Sequence, residues 1–573
     1  MTDVDPAAND FSLYNANPTY PITFGNFGTS WRESVATLTS KTFVLAVDGT
    51  ASLDWSRVKA AILTELHALG IESSSLPTSR FFKDWSEITR LTDSPELPND
   101  PDFATVSSSR LSDLLDITDT EDEGRPLIVF GPGSSLFSHD VLWYVDLPKR
   151  LCEAALASGD VRNLGQPIDE GAGTIKRQIF IDWPILDRHR DEIAPTIDRW
   201  IDFSDPQRPV SVEGDTLRVA VATLASQPFR ARPTFNTAPW GGHWGQDALG
   251  HERQAENTAV GFQLLAPESG VVLSDSANTL ELPLSLMVAL HPDEVLGQEV
   301  TLTFGDSFPI RFNYLDTVRG DNLSIHCHPQ ADYMRTKFGW PYTQHESYYV
   351  VEGGEGGHIF LGLQDGVDVN EFAAVAHAAE DDGAAFDVER FVQFFPSTRG
   401  QLFMIPAGTP HGSSKGNVVL EVSATPYLYS LRFYDWLRRD AQGRQRPVHV
   451  DHAFRNLNVA RTGAAVHREL VQTPRALRGN ASSGEEVLGA LPECFFEVRR
   501  LSLDPRSVLS DDTAGRFHVL NVVDGHGVNV LTQGGHVHPL HRGETLLVPA
   551  ACGTYEIVAL GDVTTRVVKA LVA

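Results

Sequence analysis

Residues 323–329 read LSIHCHP, residues 345–353 read HESYYVVEG and residues 400–412 read GQLFMIPAGTPHG. Side chains along a strand alternate between its two faces, so His326 and His328 emerge on one side of the first segment. Glu346 stands seven positions before Gly353, and Gly400, Pro406, Gly408 and His411 follow the pattern G-x5-P-x-G-x2-H. The turn glycines and proline let successive strands fold back, which carries His411 towards the His-His-Glu group inside a β-barrel. One such residue alone is ordinarily a hydrogen-bonded polar side chain, but four in this order read as the ligands of one metal site. Three imidazoles and a carboxylate suit zinc, manganese, iron, nickel or copper, and leave coordination positions for water or substrate.

Outward from this core, the chain from about residue 233 reads as short alternating strands, among them 270–290, EVTLTF at 299–304, 308–316, 346–353 and 358–363. Gly, Pro, Asn and Asp separate them, the texture of a barrel or sandwich. Residues 368–395 read as a helical insertion, and 450–463 as a helical break before a second set of strands over 495–573. His536 and His538, in GGHVHPL, read as a turn between strands. Upstream the texture differs. Residues 41–72 read as a buried strand, a turn and an amphipathic helix with Val58, Ala61, Ile62, Leu66 and Leu69 on one face, and 125–160 repeat the strand-turn-helix layout. That layout looks like a nucleoside-kinase-type P-loop domain, yet its turn, DGTASLDWSR at 48–57, lacks the lysine and hydroxyl of a phosphate loop, and a degenerate, structural or oligomerising role is expected over nucleotide binding through some other loop.

The expected architecture is therefore an α/β N-terminal domain followed by a mainly-β double cupin. Its units are a kinase-like region at 1–205, a metal-binding barrel at 206–435, a helical connector at 436–490 and a metal-free barrel at 491–573. A chain of 573 residues exceeds what one core supports, and 42% apolar with 21% charged residues is the composition of a folded protein. The net charge of -29 opposes nucleic acid and anionic membranes as partners, and an anionic substrate would need a local basic pocket. The opening residues lack a basic-then-apolar leader and no long apolar run occurs, which points to the cytoplasm. The cysteines, Cys152, Cys327, Cys494 and Cys552, are widely spaced and read as reduced thiols. The sequence leaves the number of subunits open.

From about residue 233 to the end, the chain resembles type I mannose-6-phosphate isomerases. The resemblance rests on LSIHCHP, QHESYYVVEG, IPAGTPHG, LRFYDW at 431–436, RPVHVDHAF at 446–454 and the approach strand RPTFNTAPWGGHW at 232–244. It implies His326, His328, Glu346 and His411 as ligands of one divalent metal, zinc first with manganese or iron as alternatives. His326 stands where the family has Gln, Gln344 where related enzymes carry Lys, and Asn313 near another family lysine, with Arg311 on the same strand face. The implied function is interconversion of mannose 6-phosphate and fructose 6-phosphate, or of a closely related sugar. Such a reaction needs a group that moves a proton between adjacent carbons and a cation that stabilises the enediolate. By resemblance Glu421 is the acid/base and Arg432 polarises substrate oxygens, while Ser324, Arg438 and Arg311 are expected to hold the phosphate. Two other classes compete: a cupin oxygenase, which also uses three His and one Glu, and a sugar-sensing protein that binds without turnover.

Overall fold

The computed structural model describes residues 14–38, 40, 42–94, 96–117, 124–440 and 442–573. Most of the opening stretch examined for a leader lies outside the described residues. Among those described, no helix is long and apolar enough to cross a membrane.

The N-terminal sheet has six strands in the order Ser74–Pro77, Leu127–Phe130, Val44–Gly49, Val141–Asp146, Arg199–Asp202 and Val210–Glu213. The first five run parallel and the last is antiparallel. Helix Trp55–Ala68 starts where the Asp54 side chain accepts from Arg57 N, and its i, i+4 series Val58, Ile62 and Leu66 is fully buried against Leu45, Val47 and Ile128. Leu69, one position past its end, is 50% exposed, so the helix face is shorter than the sequence pattern indicates. At the carboxyl end of the central strand the backbone amides are met by protein groups. The Asp48 carboxylate accepts from Gly133 N at 3.0 Å, Ser135 N at 2.9 Å and Ser135 Oγ at 2.6 Å, and lies 3.0 Å from His189 Nε2. This unit extends past residue 205, through Val210–Glu213 and helix Gly214–Leu224.

The first β unit faces a six-stranded sheet against a five-stranded one. The six strands are ordered Leu402–Ile405, Glu346–Glu352, Val418–Ala424, Ile310–Asp316, Val260–Leu264, Thr234–Asn236; the five are Val392–Pro396, His358–Leu363, His411–Ser413, Ile325–Cys327, Leu431–Tyr434. Three expectations change here. Of the stretch 270–290, Gly270–Ser274 and Thr279–Pro283 are strands but Leu284–Leu290 is a helix. EVTLTF lies in helix Gln298–Phe304, where Val300 is buried but Leu302 is 83% exposed. Its period-two pattern matches a strand, but Gly297 at φ +92° turns the chain against the second barrel, where a Cβ would meet Gly515 O at 1.9 Å. The insertion is helical over Val369–Asp382 and in one 3-10 turn at Val388–Arg390, and Val392–Pro396 pairs as an edge strand.

The second β unit has six- and four-stranded sheets. The expected helical connector contains helices Val450–Asn456 and Ala464–Leu470, but Arg475–Gly479 and Ser483–Gly489 are strands that extend the six-stranded sheet. Val537–His541 form one arm of a hairpin, with His538 opposite Val530, while His536 lies in the turn before it. The interior of this unit holds an apolar cluster that includes Leu501, Leu520, Val530 and Ile557, and beside it a charged network: buried Lys569 Nζ lies 2.5 Å from Glu485 Oε1 and 2.7 Å from Asp511 Oδ2, and Arg499 reaches Glu485 at 3.1 Å. Lys569→Met removes the buried cation between these carboxylates, Arg478 and Arg499 still pairing them from the partly exposed side, and is expected to lower stability by about 3 kcal/mol in denaturant titration. The largest apolar core runs without a break from Leu142 and Trp200 of the N-terminal sheet through Leu280 and Leu282 to Phe312 and Val519 of the two β units.

Candidate metal centre

Strand register explains how the site assembles. On the six-stranded sheet, Glu346 pairs with Ser423 and Ser423 with Arg311; one step along, Tyr348 pairs with Glu421 and Glu421 with Asn313. Directly paired residues share a face, and so do residues two apart, so these six polar side chains all line the same surface. On the facing sheet His411 pairs with His326 and His326 with Arg432. His328 follows two residues after His326, at the strand end. Gly408 makes the turn that delivers His411: its φ is +79°, and a Cβ there would meet Asn456 O at 2.5 Å.

One ligand atom each from His326, His328, Glu346 and His411 lie within 4.8 Å of one another, and all four residues are buried. Every imidazole in the set directs Nδ1 to a backbone carbonyl: His326 to Ser324 O at 3.0 Å, His328 to Tyr429 O at 3.3 Å and His411 to Thr409 O at 2.9 Å. A proton on each Nδ1 leaves each Nε2 lone pair turned inward, the arrangement that orients histidine ligands. His328 Nε2 is 2.5 Å and His411 Nε2 3.0 Å from Glu346 Oε2. The His411 nitrogen is nevertheless buried without a well-formed hydrogen bond. A buried lone pair facing a carboxylate calls for a cation between them, and the donor set fits a divalent metal. Burial and the neighbouring His411 and His328 hold His326 well below the ordinary imidazole range, as a neutral ligand should be.

Beside the cluster, Glu421 and Arg311 form a buried ion pair. Arg311 Nε also donates to Ser423 Oγ at 2.7 Å, and Ser423 Oγ donates to Glu421 Oε1 at 2.7 Å. Burial pushes Glu421 up to about 7, Arg311 pulling it down and Glu346 pushing it further up. Gln344 is fully buried; in the amide orientation that satisfies both ends, its oxygen accepts from Arg311 Nη2 and its nitrogen donates to Pro426 O, each at 2.6 Å.

The remaining sequence candidates lie in other surroundings. Ser324 sits at the base of His326, its carbonyl taken by that imidazole. Arg432 Nη1 donates to Pro447 O at 3.0 Å, and its backbone brackets His449, with Arg432 N donating to His449 Nδ1 and His449 N to Arg432 O. Arg438 is held by Asp435 at 2.8 Å, by Asp321 at 3.2 Å and by Asn322 O. Sequence reasoning passed over Tyr348, whose ring lies 5.7 Å from that of His411 and whose buried hydroxyl has no hydrogen-bond partner. Period two from Glu346 was the signal that could have found it. It also passed over the loop at 100–107. Phe103 is buried with its ring 4.8 Å from His449 and 5.2 Å from Phe338, and no local pattern foretells a contact 346 residues away in sequence.

Comparison with known proteins divides the chain in two. Residues 30–226 match a family described as a domain of unknown function (DUF8485). The mannose-6-phosphate isomerase ManA of Bacillus subtilis (strain 168) is 24% identical over 340 residues, 58% of this chain and 96% of its own length. The mannose-6-phosphate isomerase of Streptococcus mutans is 26% identical over 327 residues, 56% of this chain and 93% of its own. Among solved structures, the mannose 6-phosphate isomerase from Bacillus subtilis superposes with a TM-score of 0.47 at 19% identity, covering 60% of this chain and 99% of that one. A zinc-bound mannose 6-phosphate isomerase gives 0.46 at 14% identity, with 60% and 99% covered. The chain is thus distantly homologous to mannose-6-phosphate isomerases over about 58% of its length, and carries an additional N-terminal domain.

Proposed function

We propose that the chain is a metal-dependent aldose-ketose isomerase, with mannose 6-phosphate and fructose 6-phosphate, or a closely related sugar, as the interconverted pair. The observation that carries this reading is the placement of Glu421, a buried carboxylate whose pKa burial raises, on the same interior face as the metal ligand Glu346. A carboxylate so poised can take a proton from the carbon next to the carbonyl and return it to the neighbouring carbon, which converts aldose to ketose through an enediol. Arg311 and Ser423 fix the Glu421 carboxylate in position, so that little reorganisation accompanies the transfer. In this reading Arg432, whose strand position pairs with that of His326, donates to a substrate oxygen. The phenol of Tyr348, held well above its ordinary range by burial and by Glu346 and Glu421, stays protonated and available as a donor. A divalent cation held by His326, His328, Glu346 and His411 supplies Lewis acidity to the substrate oxygens when bound. The distant relatives named as mannose-6-phosphate isomerases support the choice of substrate series.

The N-terminal domain enters this reading as a non-catalytic support, in keeping with the filled strand end at Asp48. The deciding experiment is an isomerase assay on metal-analysed protein, offering mannose, fructose and their 6-phosphates beside a chelated sample. Turnover that disappears on chelation and returns with zinc, manganese or iron is the expected result. A metal-loaded protein that isomerises none of the four sugars would sink the reading.

A further inference from the structure

The added domain and the first β unit hold between them a cavity of about 560 Å³, within the roughly 300–1,000 Å³ of small-molecule sites, which favour domain boundaries. Helix Trp183–Ile193 supplies one wall with Trp183 and Asp187, and the loop after strand Val418–Ala424 supplies another with Pro426, Tyr427 and Tyr429. None of the four metal ligands lines it. Two donors in these walls lack partners. Trp183 Nε1 and Tyr429 Oη are buried without a hydrogen bond, on residues 5% and 0% exposed. A buried donor left unpaired costs free energy, so each calls for an acceptor from outside the chain.

The charges narrow the ligand. Five carboxylates line the cavity, Asp187, Asp191, Glu192, Glu268 and Asp306, against two cations, Lys149 and Arg188. Both cations are committed: Lys149 Nζ lies 2.7 Å from Asp187 and 4.8 Å from the centre of the Trp183 ring, and Arg188 donates to Ser109 O at 2.7 Å and to Ser107 O at 3.3 Å. An anion would meet like charge here, and an ammonium would offer the two unpaired donors no acceptor. A hydroxyl group satisfies both demands, accepting from an indole or phenol and donating to a carboxylate. We propose that this cavity is a second ligand site, for a neutral carbohydrate, separate from the metal centre and linked to it. The link is the wall at 426–429. Tyr429 O accepts from His328 Nδ1 at 3.3 Å, Pro426 O accepts from the Gln344 amide at 2.6 Å, and the Tyr427 ring lies 5.9 Å from the Arg311 guanidinium. A ligand packed on this wall restrains the carbonyl that orients His328 and so shifts metal affinity, and the metal shifts ligand affinity by the same factor. The site stands whether or not the isomerase reading does.

The test is calorimetric titration of the full-length, metal-loaded protein with trehalose and with mannose, beside spermidine and inorganic sulfate. Trehalose has no free carbonyl for an isomerase to act on, so its binding is read apart from turnover. Saturable binding of at least one sugar with a Kd of about 1 mM or below, and of neither ion, is the expected result. Trp183→Phe and Tyr429→Phe keep an aromatic ring and each remove one donor, and each is expected to weaken sugar binding about fivefold. Glu346→Gln, which acts at the metal centre, is expected to retain it. With the bound sugar present, zinc affinity read by competition with a chromophoric chelator should change about fivefold. Binding of spermidine or sulfate in place of the sugars, no binding at all, sugar binding unmoved by both donor variants, or its loss in Glu346→Gln overturns the site. An unchanged zinc affinity overturns the link to the metal centre.

Discussion

A Glu346→Gln protein is expected to fold, to lose its metal at purification and to turn over about a thousandfold more slowly, the several kcal/mol that a bound cation contributes to a developing oxyanion. Glu346 is the anionic member of the ligand set, and its Oε2 is the atom that both His328 Nε2 and His411 Nε2 approach. An amide can present its oxygen in the same place but brings no charge to balance a divalent ion inside a barrel. Elemental analysis checks the first half: the wild type should carry close to one metal per chain and the variant a small fraction of that. Circular dichroism and the denaturation midpoint then separate loss of metal from loss of fold. A variant that keeps its metal and its rate would place the functional cation elsewhere.

Glu421→Gln should separate catalysis from metal binding. The metal stays, because Glu421 is not among the ligand atoms, yet the proton-moving group is gone and the rate should fall by about 10² to 10⁴, the usual contribution of a positioned acid/base. The same change leaves Arg311 without its counter-charge in a buried position, which is expected to reduce stability by about 3 to 5 kcal/mol. The two effects are distinguished by adding Arg311→Gln. In the double variant two amides replace the ion pair, so stability should recover part of the loss while activity stays low. Recovery of activity together with stability would mean that Glu421 serves the fold alone.

Much of the metal centre was legible in the chain. Cupin strands report themselves through period two, and the ligands sit at fixed offsets from the glycines and proline that make the turns; the structure brings His326, His328, Glu346 and His411 together as those offsets demand. The α/β character of the first two hundred residues was legible for the same reason, since Val58, Ile62 and Leu66 recur at helical spacing behind an apolar strand. Local pattern failed where tertiary context overrode it. EVTLTF has the alternation of a strand but sits in a helix, because an amphipathic period specifies a conformation only when a partner edge is available to pair. Residues 475–489 became strands of the second β unit because Phe496–Leu503 offered such an edge.

The side chains around the metal tell the same story at finer scale. That Glu421 and Arg311 share a face follows from strand register, which depends on which strands are neighbours, and the strand carrying Glu421 lies between two strands distant in sequence. Arg438 lies close to Arg432 in the sequence, but only the folded chain gives it Asp321 as a partner across 117 residues. By itself the sequence determined the residue types able to hold a metal and their order along two strand-turn motifs, because covalent spacing and side-chain alternation are local properties. Only the tertiary structure decided which charges are paired, and that a loop of the added domain sets Asp102 and Phe103 beside His449. Those outcomes depend on long-range packing, where burial and electrostatics act through space with no regard to sequence distance.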